Sequence, residues 1–150
     1  MSDSNNRSGS PASTAPDAES LYVGLSELMR LFEIEFDELG PTRVSGSIAA
    51  DERHHQPWGL VHGGLYTTAI ETFATTGAFE AVKDRGQQAV GVSNMTNFLR
   101  PHRSGRLRVL ATAIQQGRTQ QLWLVEIRRP ADEKLVARGE VRLQNVAPPA

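Results

Sequence analysis

Residues 63–82, GGLYTTAIETFATTGAFEAV, contain no proline, and their apolar and small residues recur at the spacing of an α-helix. The residues of this stripe are Tyr66, Ile70, Phe73, Ala74, Gly77, Ala78, Ala81 and Val82. A stripe with a period of 3.6 is typical of a helix that buries one face. The sequence therefore predicts one long central helix.

The residues on both sides of this helix alternate with a period of two, which predicts strands. Before it, Phe32, Ile34 and Phe36 alternate with acidic residues, and a second strand follows around Val44–Ile48. After it, four alternating segments cover residues 90–98, 107–113, 123–127 and 135–143. An antiparallel sheet of about five to six strands wrapped around one helix satisfies this order. The predicted fold class is α+β.

Length and composition bound the domain organisation and the class of protein. The chain has 150 residues, of which 39% are hydrophobic, with no cysteine and a net charge of −1. This profile is typical of a single globular domain, and it excludes thiolate metal sites, redox pairs and cysteine nucleophiles. A net charge near zero argues against a nucleic-acid partner. No apolar run reaches the ~20 residues of a membrane span, and residues 1–18 lack the apolar part of a secretory signal, so we expect a cytoplasmic protein.

The ends of the chain differ in composition from its middle. Residues 1–19 are mostly Ser, Asn, Pro, Ala, Thr, Gly and Asp, which cannot bury enough apolar surface to fold. We expect a disordered tail at 1–19, one domain at 20–146 and a short tail at 147–150. Ser20 is positioned to cap a short helix at the start of the domain, with apolar residues at helical spacing at Leu21, Leu25, Leu28 and Met29.

Two glycines, Gly63 and Gly64, stand at the start of the long helix. The N–H groups of a first helical turn have no partner within the helix, and the helix dipole favours negative charge there. Gly63 and Gly64 are therefore candidate donors to a polarised oxygen. The alternative is that they only allow close packing between a loop and the helix.

Glu71 lies two turns into the helix, with Thr67 and Thr75 one turn away on either side. A carboxylate beside a buried face requires hydrogen-bond partners, and these two hydroxyls have the spacing to supply them. The alternative is a solvated glutamate. Gly63 and Glu71 are separated by about 12 Å along a helix. If both act on one carbonyl group, two chains related by a two-fold axis must build the site.

Arginines are concentrated in one part of the chain. Between Gly86 and Val125 there is no acidic residue, but there are five arginines: Arg100, Arg103, Arg106, Arg108 and Arg118. Guanidinium groups match phosphate oxygens, so this segment favours a phosphate-bearing ligand. The alternative is a set of solvated arginines at turns and edge strands.

The histidines do not have the spacing of a metal site. His54, His55 and His62 show no helical His-x-x-x-His pattern, so no metal is predicted. We expect His54, His55 and His102 to be exposed, and His62 to orient the glycine loop or the substrate carbonyl.

Three segments carry a resemblance to a known family. They are QPWGLVHGGLYTTAIETFATTGA at 56–78, AVGVSNMTNFLRP at 89–101 and ARGEVRLQN at 137–145. In these the chain resembles the hotdog-fold acyl-coenzyme A (acyl-CoA) thioesterases. It is most similar to the 4-hydroxybenzoyl-CoA branch, whose acidic catalytic residue is a glutamate on the central helix. The resemblance implies a homodimer at least, and a tetramer of paired dimers, acting on an acyl-CoA with no cofactor other than the CoA of the substrate.

The resemblance also implies roles for individual residues. Gly63 would donate its N–H to the thioester oxygen, with Gln56 and His62 holding the loop and the thioester group. Glu71 of the facing subunit would act as nucleophile or general base, assisted by Thr75. The implied contacts to the substrate and its CoA are Gly64, Trp58, Asn94, Arg100, Arg118 and Thr119. Arg118 departs from the family pattern, because a small hydroxyl residue is expected there.

Two other functions use the same fold. A hotdog-fold hydratase or dehydratase would also act on acyl thioesters through an acidic residue and a histidine, but its loop is richer in proline than His62-Gly63-Gly64. A non-catalytic module would bind acyl-CoA without turnover, and the presence of both Glu71 and Gln56 argues against it.

Overall fold

A computed structural model describes residues 26–147. In chain order the elements are α1 (Glu27–Leu31), β1 (Glu35–Leu39), β2 (Arg43–Ala50), α2 (Gly63–Glu80), β3 (Gln88–Phe98), β4 (Gly105–Gln116), β5 (Gln120–Arg128) and β6 (Leu135–Val146). Short 3₁₀ turns occupy Glu52–His54 and Lys83–Arg85. The predicted tail at 1–19, the predicted cap at Ser20, Leu21 and Leu25, and residues 148–150 lie outside the described residues.

Helix α2 is the predicted long helix. It ends at Glu80, two residues before the end of the apolar stripe at Val82. Its start is capped by His62, whose Nδ1 accepts a hydrogen bond of 2.8 Å from the N–H of Gly64. Most of the predicted stripe is buried, including Tyr66, Ile70, Phe73, Ala74 and Ala78. A helix with one face this apolar requires another element to cover that face, and here the sheet does so.

The six strands form one antiparallel sheet in the order β1-β2-β4-β5-β6-β3. Helix α2 packs across one face of this sheet and contacts all six strands. The core between them contains the largest fully buried side chains, among them Trp123, Phe73, Ile48 and Leu107. The predicted α+β fold, with an antiparallel sheet around one long helix, is confirmed.

The first strand begins later than the alternation predicts. Phe32 and Ile34 are buried, but they precede β1, which starts at Glu35. Between them Glu33 has a positive φ of 44°, so the chain turns there. The period of two at this point reflects two side chains entering the core on either side of a turn, and the prediction of a strand from Phe32 is wrong by three residues.

Strand β3 is an edge of the sheet, and its burial differs from the prediction. The alternation from Val90 to Phe98 suggests one buried face, but within β3 only Ala89 is buried. Val90, Val92, Met95 and Phe98 are exposed, Met95 to 64%. One protomer therefore leaves an apolar strand edge in contact with solvent. No helix within residues 26–147 is long and apolar enough to cross a membrane.

Candidate active site

The start of α2 presents one unpaired backbone donor. The N–H of Gly64 is taken up by His62, and the N–H of Leu65 bonds to the carbonyl oxygen of His62 at 3.0 Å. No acceptor within residues 26–147 pairs with the N–H of Gly63. Of the two glycines, only Gly63 therefore stays a candidate donor. The N–H of Gly64 is occupied, so its predicted contact with substrate would have to use other atoms.

The loop before α2 is held by hydrogen bonds on both sides. The N–H of Gln56 bonds to the carbonyl oxygen of Leu60 at 2.8 Å, and that of Val61 bonds to the carbonyl oxygen of His102 at 2.9 Å. The side-chain oxygen of Gln56 accepts from the N–H of Trp58, so its amide N–H₂ is directed away from that bond. This network fixes Gly63 at the mouth of a defined loop, as preorganised donors require.

A cavity of about 330 Å³ adjoins Gly63. Its lining is Gln56, Leu60, Val61, Gly63, Tyr66, Phe98, Leu99, Arg100 and Pro101. The Phe98 ring lies so close to Gly63 that a Cβ there would be 2.7 Å from its Cζ. Gln56, Gly63 and Arg100, three of the predicted site residues, are therefore brought together beside the helix start.

Glu71 is held at the edge of the sheet, beside β3. Its Oε2 accepts a hydrogen bond of 3.1 Å from Nδ2 of Asn94. The carboxylate lies against Gly91, where a Cβ would meet Oε1 at 2.0 Å, so any other residue at 91 would displace it. Asn94 is itself fixed, because its Oδ1 accepts from the hydroxyl of Thr96 at 2.7 Å.

Within the described residues, neither Thr67 nor Thr75 forms the expected hydrogen bond with Glu71. The hydroxyl of Thr67 donates to the carbonyl oxygen of Gly63 at 3.1 Å, as threonine side chains in helices commonly do. No hydrogen bond within residues 26–147 joins Thr75 to Glu71. Asn94, predicted to bind substrate, supplies the hydrogen bond instead. The hydrogen bond between Asn94 and Glu71 was not predicted, because the two residues are 23 positions apart in the sequence and only the packing of β3 on α2 joins them. Gly91, which leaves room for the carboxylate, was the one indication in the sequence.

Gly63 and Glu71 do not share a site within one chain. Gly63 lines the cavity, whereas Glu71 is not in its lining. Eight residues of helix separate them by about 12 Å. Within one chain the two candidate groups therefore lie at separate places, as the spacing predicts.

The arginines do not form one phosphate-binding patch. Arg106 pairs with Glu33 and Glu35, and Arg108 pairs with Glu133. Arg100 lines the cavity, and its Nη1 donates to the carbonyl oxygen of Leu135 at 2.7 Å. The sequence count of acidic residues was misleading, because the partners of Arg106 and Arg108 lie outside the segment.

Arg118 and Thr119 lie at the other end of α2 from Gly63. They form the β4–β5 turn, whose carbonyl groups accept from Asn145. The neighbouring Gln121 donates from Nε2 to the carbonyl oxygen of Ala78 at 3.0 Å, near the end of α2. Within one chain, these two residues are about 20 Å from the cavity along the helix.

The burial of two histidines differs from the prediction, and Trp58 lies outside the cavity. Trp58 is 81% exposed and does not line the cavity. His54 and His102 are buried, contrary to the prediction of exposure. Both ring nitrogens of His54 are in use, since Nδ1 accepts from the N–H of Asp51 and Nε2 bonds to the carbonyl oxygen of Leu31. Among the described residues, no group of side chains is arranged to hold a metal ion.

Tyr66 is a cavity residue that the sequence presents only as part of the apolar stripe. Its ring lies 6.1 Å from that of Phe98, and its hydroxyl is buried with no hydrogen-bond partner in the described chain. Burial raises the pKa of this phenol to about 12, although the charge of Arg129 opposes the shift. The polar tip of a tyrosine in an apolar stripe was the signal available.

A six-stranded antiparallel sheet around one long helix is the architecture of the hotdog-fold thioesterases. A match to the Thioesterase superfamily covers residues 59–136, so the chain belongs to that family. It is 41% identical over 115 residues to a Mycobacterium tuberculosis protein named "putative esterase". The matched region covers 75% of this chain and 81% of that protein. The proofreading thioesterase EntH of Cronobacter turicensis is 31% identical over 105 residues, 70% of this chain and 76% of its own length.

Solved structures give the same fold. The structure of the M. tuberculosis "putative esterase" has a TM-score of 0.78 and 37% identity, and the match covers 83% of this chain and 100% of that one. A thioesterase structure from Haemophilus influenzae has a TM-score of 0.78 and 28% identity, with 89% and 93% covered. The resemblance stated from the sequence is confirmed.

Proposed function

We propose that the protein hydrolyses the thioester of an aryl-CoA or a short- to medium-chain acyl-CoA, in sites built by two chains. The observation that carries this proposal is that each chain has two separate candidate groups. One is the open N–H of Gly63 beside a cavity, and the other is the carboxylate of Glu71, which Asn94 holds at an unpaired sheet edge. Neither group is sufficient for catalysis alone, and a homodimer would bring the two together.

The N–H of Gly63 stabilises the charge that develops on the thioester oxygen. Attack on the carbonyl carbon moves an electron pair onto that oxygen, and a fixed donor at a helix N-terminus lowers the energy of this state. His62 contributes by occupying the N–H of Gly64 and fixing the start of the helix. Gln56 places its amide beside the same cavity.

Glu71 of the second chain activates water or attacks the carbonyl carbon itself. As general base it takes a proton from water while hydroxide adds to the carbon, and the CoA thiolate then leaves with a proton. As nucleophile, its oxygen bonds to the carbonyl carbon while the C–S bond breaks and CoA thiolate leaves. Water then cleaves the resulting anhydride, which restores the carboxylate and supplies the proton that the thiolate takes up. Both routes consume one water and give a free acid and CoA. Either requires a carboxylate with a fixed orientation, which the bond from Asn94 supplies. Thr75 lies one turn further along the same helix, where its hydroxyl assists the water or the carboxylate.

The exposed edge of β3 is the surface through which two copies pair. Along β3, Phe98 marks the level of Gly63, while Gly91 and Asn94 mark the level of Glu71. Setting Phe98 of one copy opposite residues 91–94 of the other brings each Gly63 to the partner's Glu71. In antiparallel pairing, this register places the two-fold axis near Met95, the most exposed apolar residue of the strand.

The same register places the C-terminal end of the partner's α2 near Gly63. Within one chain Arg118 and Thr119 lie about 20 Å from Gly63 along the helix, whereas the partner's Arg118 and Thr119 lie about 10 Å from it, on the outer side of the site. These residues and Arg100 then hold the phosphate end of CoA. Trp58, exposed in one protomer, gains its contact with substrate only in the dimer. A tetramer of paired dimers stays a prediction from the family.

A relative with a named substrate supports this chemistry. An Escherichia coli protein that is 27% identical over 105 residues is named 1,4-dihydroxy-2-naphthoyl-CoA hydrolase. Its name specifies water as the acceptor of the acyl group. This favours hydrolysis over hydration of a double bond or binding without turnover.

The test is free-thiol release from a panel of aryl- and alkyl-CoA thioesters by the wild-type protein and Glu71→Gln. The variant keeps the size of the side chain but removes the carboxylate. We expect turnover by the wild type and a loss of roughly 10²- to 10⁴-fold in kcat for the variant. Binding of acyl-CoA without thiol release by the wild type would overturn the proposal. The hydrated product of an unsaturated acyl-CoA would do so as well.

A further inference from the structure

A buried amide on β6 holds the turn between β4 and β5. The Nδ2 of Asn145 donates to the carbonyl oxygens of Gly117 and Arg118, at 3.2 Å in each case. The backbone N–H of Asn145 donates to the carbonyl oxygen of Thr119 at 2.8 Å. Three consecutive carbonyl groups of the turn therefore face the same residue.

Asn145 is itself held in place by Gln121, a buried residue of β5. Nε2 of Gln121 donates to Oδ1 of Asn145 at 2.9 Å and to the carbonyl oxygen of Ala78 at 3.0 Å. Oε1 of Gln121 accepts from the indole N–H of Trp123 at 3.0 Å. A buried polar network whose members are all paired is rigid. This network therefore fixes the turn relative to the end of α2.

The bonds to the carbonyl groups also set the direction of the N–H groups of the turn. The C=O and the N–H of a trans peptide point to opposite sides, and no peptide bond of the described residues is cis. The N–H groups of Arg118 and Thr119 therefore face away from Asn145. Neither has an acceptor within residues 26–147. Successive open N–H groups in a turn are a recurring means of binding anions.

The side chains of the turn fit the same chemistry. Arg118 and Thr119 are exposed, and in the described part of the chain neither side chain takes part in a hydrogen bond or an ion pair. Arg106 and Arg108, in contrast, are paired with carboxylates. The turn thus presents a guanidinium, a hydroxyl and two backbone donors. This set of donors matches the oxygens of phosphate groups.

We propose that Asn145 is a positioning residue for CoA, because it directs the N–H groups of Arg118 and Thr119 outward, to the phosphate groups of the acyl-CoA. This inference rests on the proposed function, in which the turn borders the site at the partner's Gly63. Asn145 acts through the turn and touches no atom of the substrate. Without its two side-chain donors, the peptides of the turn are free to rotate, and a carbonyl oxygen that faces outward repels a phosphate.

The test compares Asn145→Ala with the wild type on one acyl group carried by two thiols. One is CoA, and the other is pantetheine, the part of CoA that lacks the phosphates and the nucleotide. For acyl-CoA we expect KM to rise roughly tenfold in the variant with kcat nearly unchanged. For acyl-pantetheine both parameters should equal those of the wild type.

Gln144→Ala is the matched control. It removes a neighbouring amide of β6 that accepts from Gln120 and has no bond to residues 117–119. It should leave KM unchanged for both thioesters. Asn145→Leu, whose branched side chain has nearly the shape of asparagine but no donor, is measured beside Asn145→Ala. Both are compared at a temperature where circular dichroism shows the native spectrum.

The outcomes separate this inference from the proposed function. An equal change on the two thioesters, or a native spectrum in neither variant, would overturn the inference by giving Asn145 a role in the fold alone. An unchanged KM for acyl-CoA would overturn it too, as would a wild type with the same KM for both thioesters. A wild type that hydrolyses neither thioester would instead overturn the proposed function.

Discussion

The side-chain amide of Asn94 on β3 holds the carboxylate of Glu71 on α2 through a hydrogen bond of 3.1 Å. The same Nδ2 also bonds to the carbonyl oxygen of Thr67 at 3.1 Å, and Oδ1 accepts from Thr96. Asn94 thus joins the helix to the exposed edge of the sheet. The candidate base is oriented from the surface on which a second chain is proposed to dock.

Asn94→Ala should lower kcat by roughly tenfold to a hundredfold and leave KM nearly unchanged, because Glu71 keeps its charge but loses its fixed orientation. Steady-state kinetics on the best acyl-CoA of the panel measure both parameters. Asn97→Ala, an exposed asparagine on the same strand, is the matched control. A variant of Asn94 that raises KM alone would place the residue against the substrate instead.

Gly63→Pro tests the backbone donor directly. Proline lacks an N–H and is tolerated at the first position of a helix, and His62 already has the extended ψ of 137° that a residue before proline requires. We expect a loss of roughly 10²- to 10³-fold in kcat with an intact fold, measured by circular dichroism and kinetics.

Gly63→Ala is the control for this substitution, because it adds a Cβ near Phe98 but keeps the N–H. It should retain much more activity than the proline variant. Equal losses in both variants would mean that contact with Phe98, and not the missing donor, causes the defect.

Much of the fold was predictable from the sequence, because its strongest patterns are local. Helix α2 and the last four strands lie where their periodicity predicts them. Phe32 and Ile34 are an exception, because two buried residues on either side of a turn give the same alternating pattern as a strand. The site was predictable only in part. Gly63 and Gln56 are close in sequence and meet at one loop, but Asn94 reaches Glu71 through tertiary packing that no spacing reveals.

Stability should fall as the pH drops from 7 to 5, and His102 should contribute to that fall. Burial lowers the pKa of His102 from its usual value of 6.5. Below pH 6.5 the unfolded chain therefore binds a proton that the folded protein does not, which favours unfolding until the pH passes the folded-state pKa. His102→Gln should flatten the dependence of the urea midpoint on pH. A slope that is unchanged in His102→Gln would contradict this account.

The proposed pairing of β3 with its symmetry mate can be tested with a single thiol, because the chain contains no cysteine. Met95→Cys places two thiols beside the proposed two-fold axis, where a disulfide forms if the two Cβ atoms come within about 3.5–4.5 Å of each other. We expect mild oxidation to give a covalent dimer on non-reducing gels. Ile114→Cys, at an exposed position on β4, should stay monomeric on the same gel. Cross-linking of the control alone would place the interface elsewhere.

The most direct test of the central claim, a site shared between two chains, is activity in a heterodimer of Glu71→Gln with Gly63→Pro, isolated with two different tags. Each variant alone is nearly inactive. If the site joins Gly63 of one chain to Glu71 of the other, this heterodimer has one intact site and about half the wild-type activity. A heterodimer of the wild type with the double variant then has no intact site and almost no activity. The opposite pattern, with an inactive first heterodimer and a half-active second one, would show that each chain builds its own site and would contradict the account.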